Sequence, residues 1–195
     1  MTSARSVDPA SVPVEQPAAG ACAAVDDIDF TAVFRDFGAY VPGLLRRLGV
    51  AEREVEDVAQ DVFTVIHRQL PGFRGDSTLK TWVCGVTLRV ARSHLRLARV
   101  RKLVLGEPAT EPSQAPPQLE SAVLAERVRM LQRALEELSH EQRRVFVLYE
   151  LEELSMRDIA RLLACPEKTA YTRLHAARQN VERAIRRRLA LGGEL

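Results

Sequence analysis

Asp57 and Asp61 stand four residues apart in the run VEDVAQDVF (Val55 to Phe63), with Gln60 beside them. On a helix that spacing stacks two carboxylates on one face. Such a pair is a solvated face, a patch for a basic partner, or a metal or acid–base centre. The last needs a third group, and only His67 lies near in sequence. A second set is basic. Arg89, Arg92, Arg96 and Arg99 fall within an arc of about 80° at 3.6 residues per turn. They lie in a run, Lys80 to Gly106, that holds seven bases and no acid. A stripe of that kind tracks phosphates, although a solvated face has the same pattern. The third set, Lys168, Thr169, Tyr171, Thr172 and Arg173, follows Pro166 at the start of a helical pattern. Arg and Lys reach guanine edges or phosphates, and Thr donates, accepts or meets a thymine methyl.

Charge is segregated along the chain although the formal net charge is only +2. Ten acids and five bases lie between Glu107 and Leu154, and seven bases and two acids between Glu167 and Arg188. Two basic blocks around an acidic one suggest two contacts with a polyanion. Cys22, Cys84 and Cys165 are far apart and form no CxxC pair, against a disulfide scaffold or zinc site. No apolar run has the length of a membrane span, and the first residues lack a signal-peptide core. The expectation is a cytoplasmic protein with no metal, cofactor or small-molecule substrate.

The elements that would position these residues are all helical. Residues 1–27, rich in Ala, Pro and Ser, read as a disordered tail. A first domain spans 28–101. Phe30, Phe34 and Phe37 recur at helical spacing, and Leu44, Leu45 and Leu48 continue after a break expected at Pro42-Gly43. Val55, Val58, Val62, Ile66 and Leu70 line the next helix until Pro71-Gly72. After the loop FRGDS, Asp76 or Ser77 is expected to cap a long helix to about Arg101, with Val83, Val86, Val90 and Leu97 on its apolar face. Residues 102–118 hold four of the ten prolines and read as a linker.

A second helical domain follows over 119–191. One helix runs from Leu119 to Leu138, and Ser139 to Gln142 reads as a capping box opening the next. Ser155 opens a short helix, Ala164-Cys165-Pro166 breaks it, and a longer helix runs on to just before Gly192. Ile159, Leu162 and Leu163 are spaced to pack on Ala170, Leu174 and Ala177, which is the logic of a helix-turn-helix. The fold class is therefore all-α: two small helical domains joined by a Pro-rich linker.

From Phe30 to Arg187, the linker excepted, the chain resembles a bacterial RNA polymerase sigma factor of the extracytoplasmic-function type. VEDVAQDVF resembles the core-polymerase-binding motif of region two. LPGFRGDSTLKTW (Leu70 to Trp82) resembles the segment leading into promoter opening and minus-ten recognition. LSMRDIARLLACPEKTAYTRLHAAR (Leu154 to Arg178) resembles the region-four helix-turn-helix for the minus-thirty-five element. The resemblance implies that Asp57, Gln60, Asp61 and Phe63 bind core RNA polymerase. It implies promoter DNA contacts for Arg74, Ser77, Lys80, Trp82, Arg89, Arg92 and Arg96 in the first domain. In the second it implies them for Lys168, Thr169, Tyr171, Thr172 and Arg173. It further implies an anti-sigma factor as partner and no catalytic activity.

Some positions depart from the family pattern. Cys84-Gly85 stands where many relatives carry Tyr-Arg, Arg89 replaces a frequent Asn, and Tyr171 and Ala176 stand where basic residues are common. The linker's 17 residues span at most about 60 Å, which suits promoter elements roughly 55–60 Å apart. The rival reading is a helix-turn-helix repressor or activator acting without core polymerase, which needs neither VEDVAQDVF nor a second basic helix. A metal-dependent nuclease using Asp57 and Asp61, and a purely structural helical adaptor, are weaker rivals.

Overall fold

The structure is a computed structural model that describes residues 28–105 and 122–192, and every regular element among them is helical. Four helices build the first domain: α1 (Phe30–Phe37), α2 (Tyr40–Leu48), α3 (Glu52–Gln69) and α4 (Leu79–Leu105). The break expected at Pro42-Gly43 falls earlier, between α1 and α2 at Gly38-Ala39. Pro42 lies in the first turn of α2, where a helix has no use for the missing N–H and the fixed φ is helical already. α2 ends at Gly49, whose φ of 101° lets its N–H reach the carbonyls of Leu45 and Arg46.

α3 and α4 pack together and against α2, and their shared face is the first core. Val62, Ile66, Val83 and Val86 are fully buried there against Leu44 and Leu45, each worth about 1.5–3 kcal/mol in transfer from water. Thr87 is buried with them and donates its hydroxyl to the Val83 carbonyl at 2.8 Å, so its own polar atom is satisfied. Thr78 caps α4, in place of Asp76 or Ser77: its hydroxyl accepts from the Thr81 N–H at 3.1 Å. α4 also runs past Arg101 to Leu105, so the first four residues assigned to the linker are helical. The prolines assigned to that linker, the tail 1–27 and the helix start at Leu119 lie outside the described residues.

The second domain holds α5 (Ala122–Glu136), α6 (His140–Phe146), α7 (Met156–Leu163) and α8 (Glu167–Gly192). Ser139 closes the expected capping box: its hydroxyl accepts from the Gln142 N–H, and the Gln142 side chain accepts from the Ser139 N–H. α6 then widens into a π-helical turn over Val147–Leu151, which the periodicity did not show. Ser155 caps α7 by accepting from the Asp158 N–H at 3.1 Å. The turn into α8 puts Ala164 at φ 50°, with its N–H on the Ala160 and Arg161 carbonyls. Ala170, Ala177 and Ala184 are fully buried along one line of α8. Their small side chains let α5, α6 and α7 approach it closely.

The two domains touch. α2 meets α6, and α4 meets α7.

Candidate nucleic-acid and protein interfaces

Asp57, Gln60 and Asp61 are exposed on α3, on the side opposite Val55, Val58 and Val62. Alternation at a period of 3.6 turns the apolar stripe inward and leaves these three in water. Phe63 is different. It is only 8% exposed, and its ring meets Phe34 edge-on at 4.8 Å. The apolar side chain presented next to the acidic patch is Phe34, 51% exposed, which the motif did not mark. His67 lies edge-on against Phe30 at 4.9 Å. Among the described residues no group of three His, Cys, Asp or Glu side chains is placed to hold a metal ion.

The loop from Phe73 to Ser77 leads into α4. Gly75 turns it with φ 73°, leaving Arg74 exposed at its edge. Trp82 is half-buried under this loop, its ring 5.2 Å from that of Phe73. It packs against the core from its edge and is not a free wedge. Ser77 donates its hydroxyl to the Thr78 carbonyl at 3.3 Å.

The arginines of α4 divide. Arg92, Arg96 and Arg99 are exposed. Arg89 is half-buried, donates to Gln69 at 3.4 Å, and has its pKa lowered by that burial. Lys80 has turned to the other domain: its Nζ donates to the Glu152 carbonyl at 3.3 Å and lies 3.7 Å from the Glu152 carboxylate.

In the second domain the first turns of α8 stand clear of the helices that brace it. Lys168, Tyr171 and Thr172 are exposed and Thr169 is half-buried, whereas Ala170 and Leu174 point into the core against Ile159. Thr172 donates its hydroxyl back to the Lys168 carbonyl at 2.9 Å, so its methyl is the freer group. Arg173 is not free either: it pairs with Glu141 of α6 at 2.8 Å. Further along α8, Arg187 and Arg188 both pair with Glu137. Leu162 does not join the α7–α8 contact alone, because its Cδ2 reaches the backbone of α4 at Gly85.

A cleft of about 570 Å³ lies between α4 and the start of α6. Leu48, Leu88, Ala91 and Leu95 form its apolar floor, and Arg92, Arg96, Arg99, His140 and Arg144 ring it. Burial, then the nearby guanidiniums of Arg99, Arg144 and Arg143, push His140 below its ordinary pKa. Nothing in the sequence signalled Glu152, Arg143 or Arg144 as members of a site. Each looked like one charge among many on a solvated helix.

The family comparisons agree with this geometry. Residues 33–101 match the Sigma-70 region 2 model and residues 128–181 the Sigma-70, region 4 model. The RNA polymerase sigma-H factor of Pseudomonas aeruginosa is 30% identical over 156 residues, 73% of this chain and 79% of its own length. The ECF RNA polymerase sigma-E factor of Escherichia coli strain K12 is 29% identical over 150 residues, 70% and 76% of the two chains. Among solved structures, the fold matches the sigma factor RpoE in complex with the anti-sigma factor NepR from Bartonella quintana. That match has a TM-score of 0.69 at 22% identity and covers 80% of this chain and 96% of that one. CnrH in complex with the cytosolic domain of CnrY matches with a TM-score of 0.55, also at 22% identity, over 85% and 89%. With an exposed acidic motif on α3, a basic long helix and a braced recognition helix in the family's order, the chain belongs to the sigma-70 family of RNA polymerase sigma factors, in its ECF group.

Proposed function

We propose that the two domains divide the work of a promoter-specificity subunit, the first holding core RNA polymerase and the minus-ten element, the second reading the minus-thirty-five element. The observation that carries this is the pairing of an exposed Asp57–Gln60–Asp61 patch on one domain with an exposed recognition-helix start on the other. The carboxylates suit a basic helical surface of the polymerase, and Phe34, packed on the buried Phe63, would supply an apolar edge beside them. Arg74, Ser77 and Trp82 border the loop that would take an unpaired base. Extruding a base costs a few kcal/mol, which stacking and hydrogen bonds there would offset. Lys80, Arg89, Arg92 and Arg96 would follow the phosphates, each neutralised phosphate steepening the salt dependence. Lys168, Thr169, Tyr171, Thr172 and Arg173 would meet base edges in the major groove.

In this reading the chain is an initiation factor without a reaction of its own, acting in the cytoplasm where the polymerase works. No helix among the described residues is long and apolar enough to cross a membrane. An anti-sigma factor is a further proposed partner, because RpoE and CnrH were solved bound to NepR and CnrY.

Charge reversal of the patch tests the reading. Asp57→Lys with Asp61→Lys should abolish co-elution with core polymerase while circular dichroism stays that of the wild type, because both side chains lie outside the core. Unchanged affinity in the double variant would remove the patch from the interface. A wild-type chain that never co-elutes with core would instead support a free-standing repressor or activator.

A further inference from the structure

The cleft between α4 and the start of α6 has a floor of one chemistry and a rim of another. Its volume of about 570 Å³ falls inside the range of small-molecule sites, roughly 300–1,000 Å³. Leu48, Leu88, Ala91 and Leu95 make the floor, the first three buried and Leu95 half-buried. The floor is aliphatic throughout, so a nucleobase or other flat ring has no aromatic face there to stack on. The charged groups stand outside it. Arg92, Arg96 and Arg99 come from α4 and are exposed, and His140 and Arg144 come from α6.

This rim carries more positive charge than its neighbours neutralise. Its one carboxylate, Glu141, is already engaged: it accepts from Arg144 Nη2 at 2.5 Å and pairs with Arg173 of α8 at 2.8 Å. Among the described residues, Arg92, Arg96 and Arg99 have no ion-pair partner. Arg144 and His140 register the imbalance. Burial, joined by the guanidiniums of Arg92, Arg173 and Arg99, lowers the pKa of Arg144 against the pull of Glu141. Burial, then Arg99, Arg144 and Arg143, does the same to His140, again with Glu141 opposing. Like charges beside an apolar wall focus their field into the cleft and raise the local concentration of anions.

We propose that the cleft is a binding site for an amphipathic anion, an unbranched aliphatic chain ending in a carboxylate or a phosphate. The chain lies on the leucine floor, and the head group reaches the guanidiniums of Arg92, Arg96 and Arg99, whose planar forks match either oxyanion. Both halves of the ligand matter. Exposed arginines alone hold a bare anion weakly in water, and a neutral chain leaves the rim charges uncompensated. A helical partner fits less well. At a diameter of about 10–12 Å and a rise of about 5.4 Å per turn, a helix fills on the order of 500 Å³ per turn, so the cleft takes little more than one turn. The proposal stands whether or not α4 binds DNA. Where it does, the anion and nucleic acid compete for Arg92 and Arg96.

Isothermal titration calorimetry of the full chain with dodecanoate and with dodecyl phosphate, both below their micelle concentrations, tests the site. At least one of them should bind saturably at a single site, and the tighter of the two names the head group. Dodecyltrimethylammonium has the chain with the opposite charge, and inorganic phosphate has a head with no chain. Each should bind at least about tenfold more weakly. Arg96→Gln with Arg99→Gln should weaken the anion by about tenfold or more, while thermal denaturation stays that of the wild type because both side chains are exposed. An anion at the rim returns His140 toward its ordinary pKa, so binding takes up a proton. Dodecanoate should therefore bind more tightly as pH falls from about 8 to about 6, and His140→Gln should flatten that dependence. No saturable binding by either anion would overturn the proposal, as would equal binding of the cation or unchanged affinity in the arginine variant. Inorganic phosphate binding as tightly as dodecyl phosphate would overturn it too, because the floor would then have no role. So would many molecules bound per chain with loss of the thermal transition, which is detergent action.

Discussion

Arg173 carries the sharpest chemistry in the first turns of α8, and it is already engaged. Its guanidinium pairs with Glu141 at 2.8 Å with the side chain still 29% exposed, so the pair is a surface ion pair of modest strength. A guanine edge offers O6 and N7 to the same guanidinium, and a surface ion pair of this strength can be exchanged for it. Arg173→Ala should therefore relax preference at one base pair of the minus-thirty-five element, a loss of about 1–3 kcal/mol of discrimination. Tyr171 is 55% exposed on the same turns and supports no neighbouring side chain in the core. Tyr171→Lys should alter promoter choice and leave the fold alone. Arg187, tied to Glu137 well along α8, is the control: its alanine variant should weaken all promoters evenly or have no effect. Promoter libraries assayed with each variant decide the matter, and identical base preferences throughout would mean that this helix does not read sequence.

Among the elements, helix ends are where local sequence acts most directly. Ser139 closes a full capping box, so Ser139→Ala should cost about 1 kcal/mol. In a domain of this size that lowers the melting temperature by about 4–8 °C. Ala164 tells the opposite story. It ends α7 at φ 50° and ψ 50°, a left-handed conformation that a Cβ disfavours. Ala164→Gly should stabilise the helix-turn-helix by about 0.5–1 kcal/mol, since glycine adopts this conformation without strain. Thermal denaturation followed by circular dichroism measures both, and a destabilised Ala164→Gly variant would show that the turn is held by something other than its backbone. The caps at Ser139 and Ser155 were legible because a cap is written within four residues. The cap of α4 was placed at Asp76 or Ser77, whereas Thr78 performs it. Neighbouring Asp, Ser and Thr side chains are near-equivalent caps, and only the path of the loop chooses between them.

Taken as a whole, the molecule has one continuous buried cluster with a denser core in each half. Val62, Ile66, Val83 and Val86 close the first with α2, while Leu135, Val145, Leu148 and Leu174 close the second. A chain ending after Glu111 should therefore keep its helical fold and its binding to core polymerase, and lose binding to minus-thirty-five duplex. Loss of core binding in a folded fragment would mean that the second domain contributes to that contact. The fragment also lacks Glu152, so Lys80 and Arg47 would be free of it.

What the sequence by itself determined is what repeats within a few residues: helices from a 3.6-residue period, two of their caps, and the order of the motifs. Asp57, Gln60 and Asp61 were legible as an exposed patch because the apolar residues interleaved with them fix which face turns inward. The tertiary structure decided what such a period cannot express. Phe63 had the right chemistry for a surface contact, but the α1 aromatics cover it, and Phe34 is the ring left exposed. Glu152 reads locally as one more acid in ELEEL, yet it is buried against an arginine 105 positions away. Leu162 reads as a helix-turn-helix core residue, yet it reaches across to Gly85. A helical pattern states that a face will be covered or solvated. Which partner covers it depends on how two separately folded domains come to rest against each other, and no local spacing encodes that.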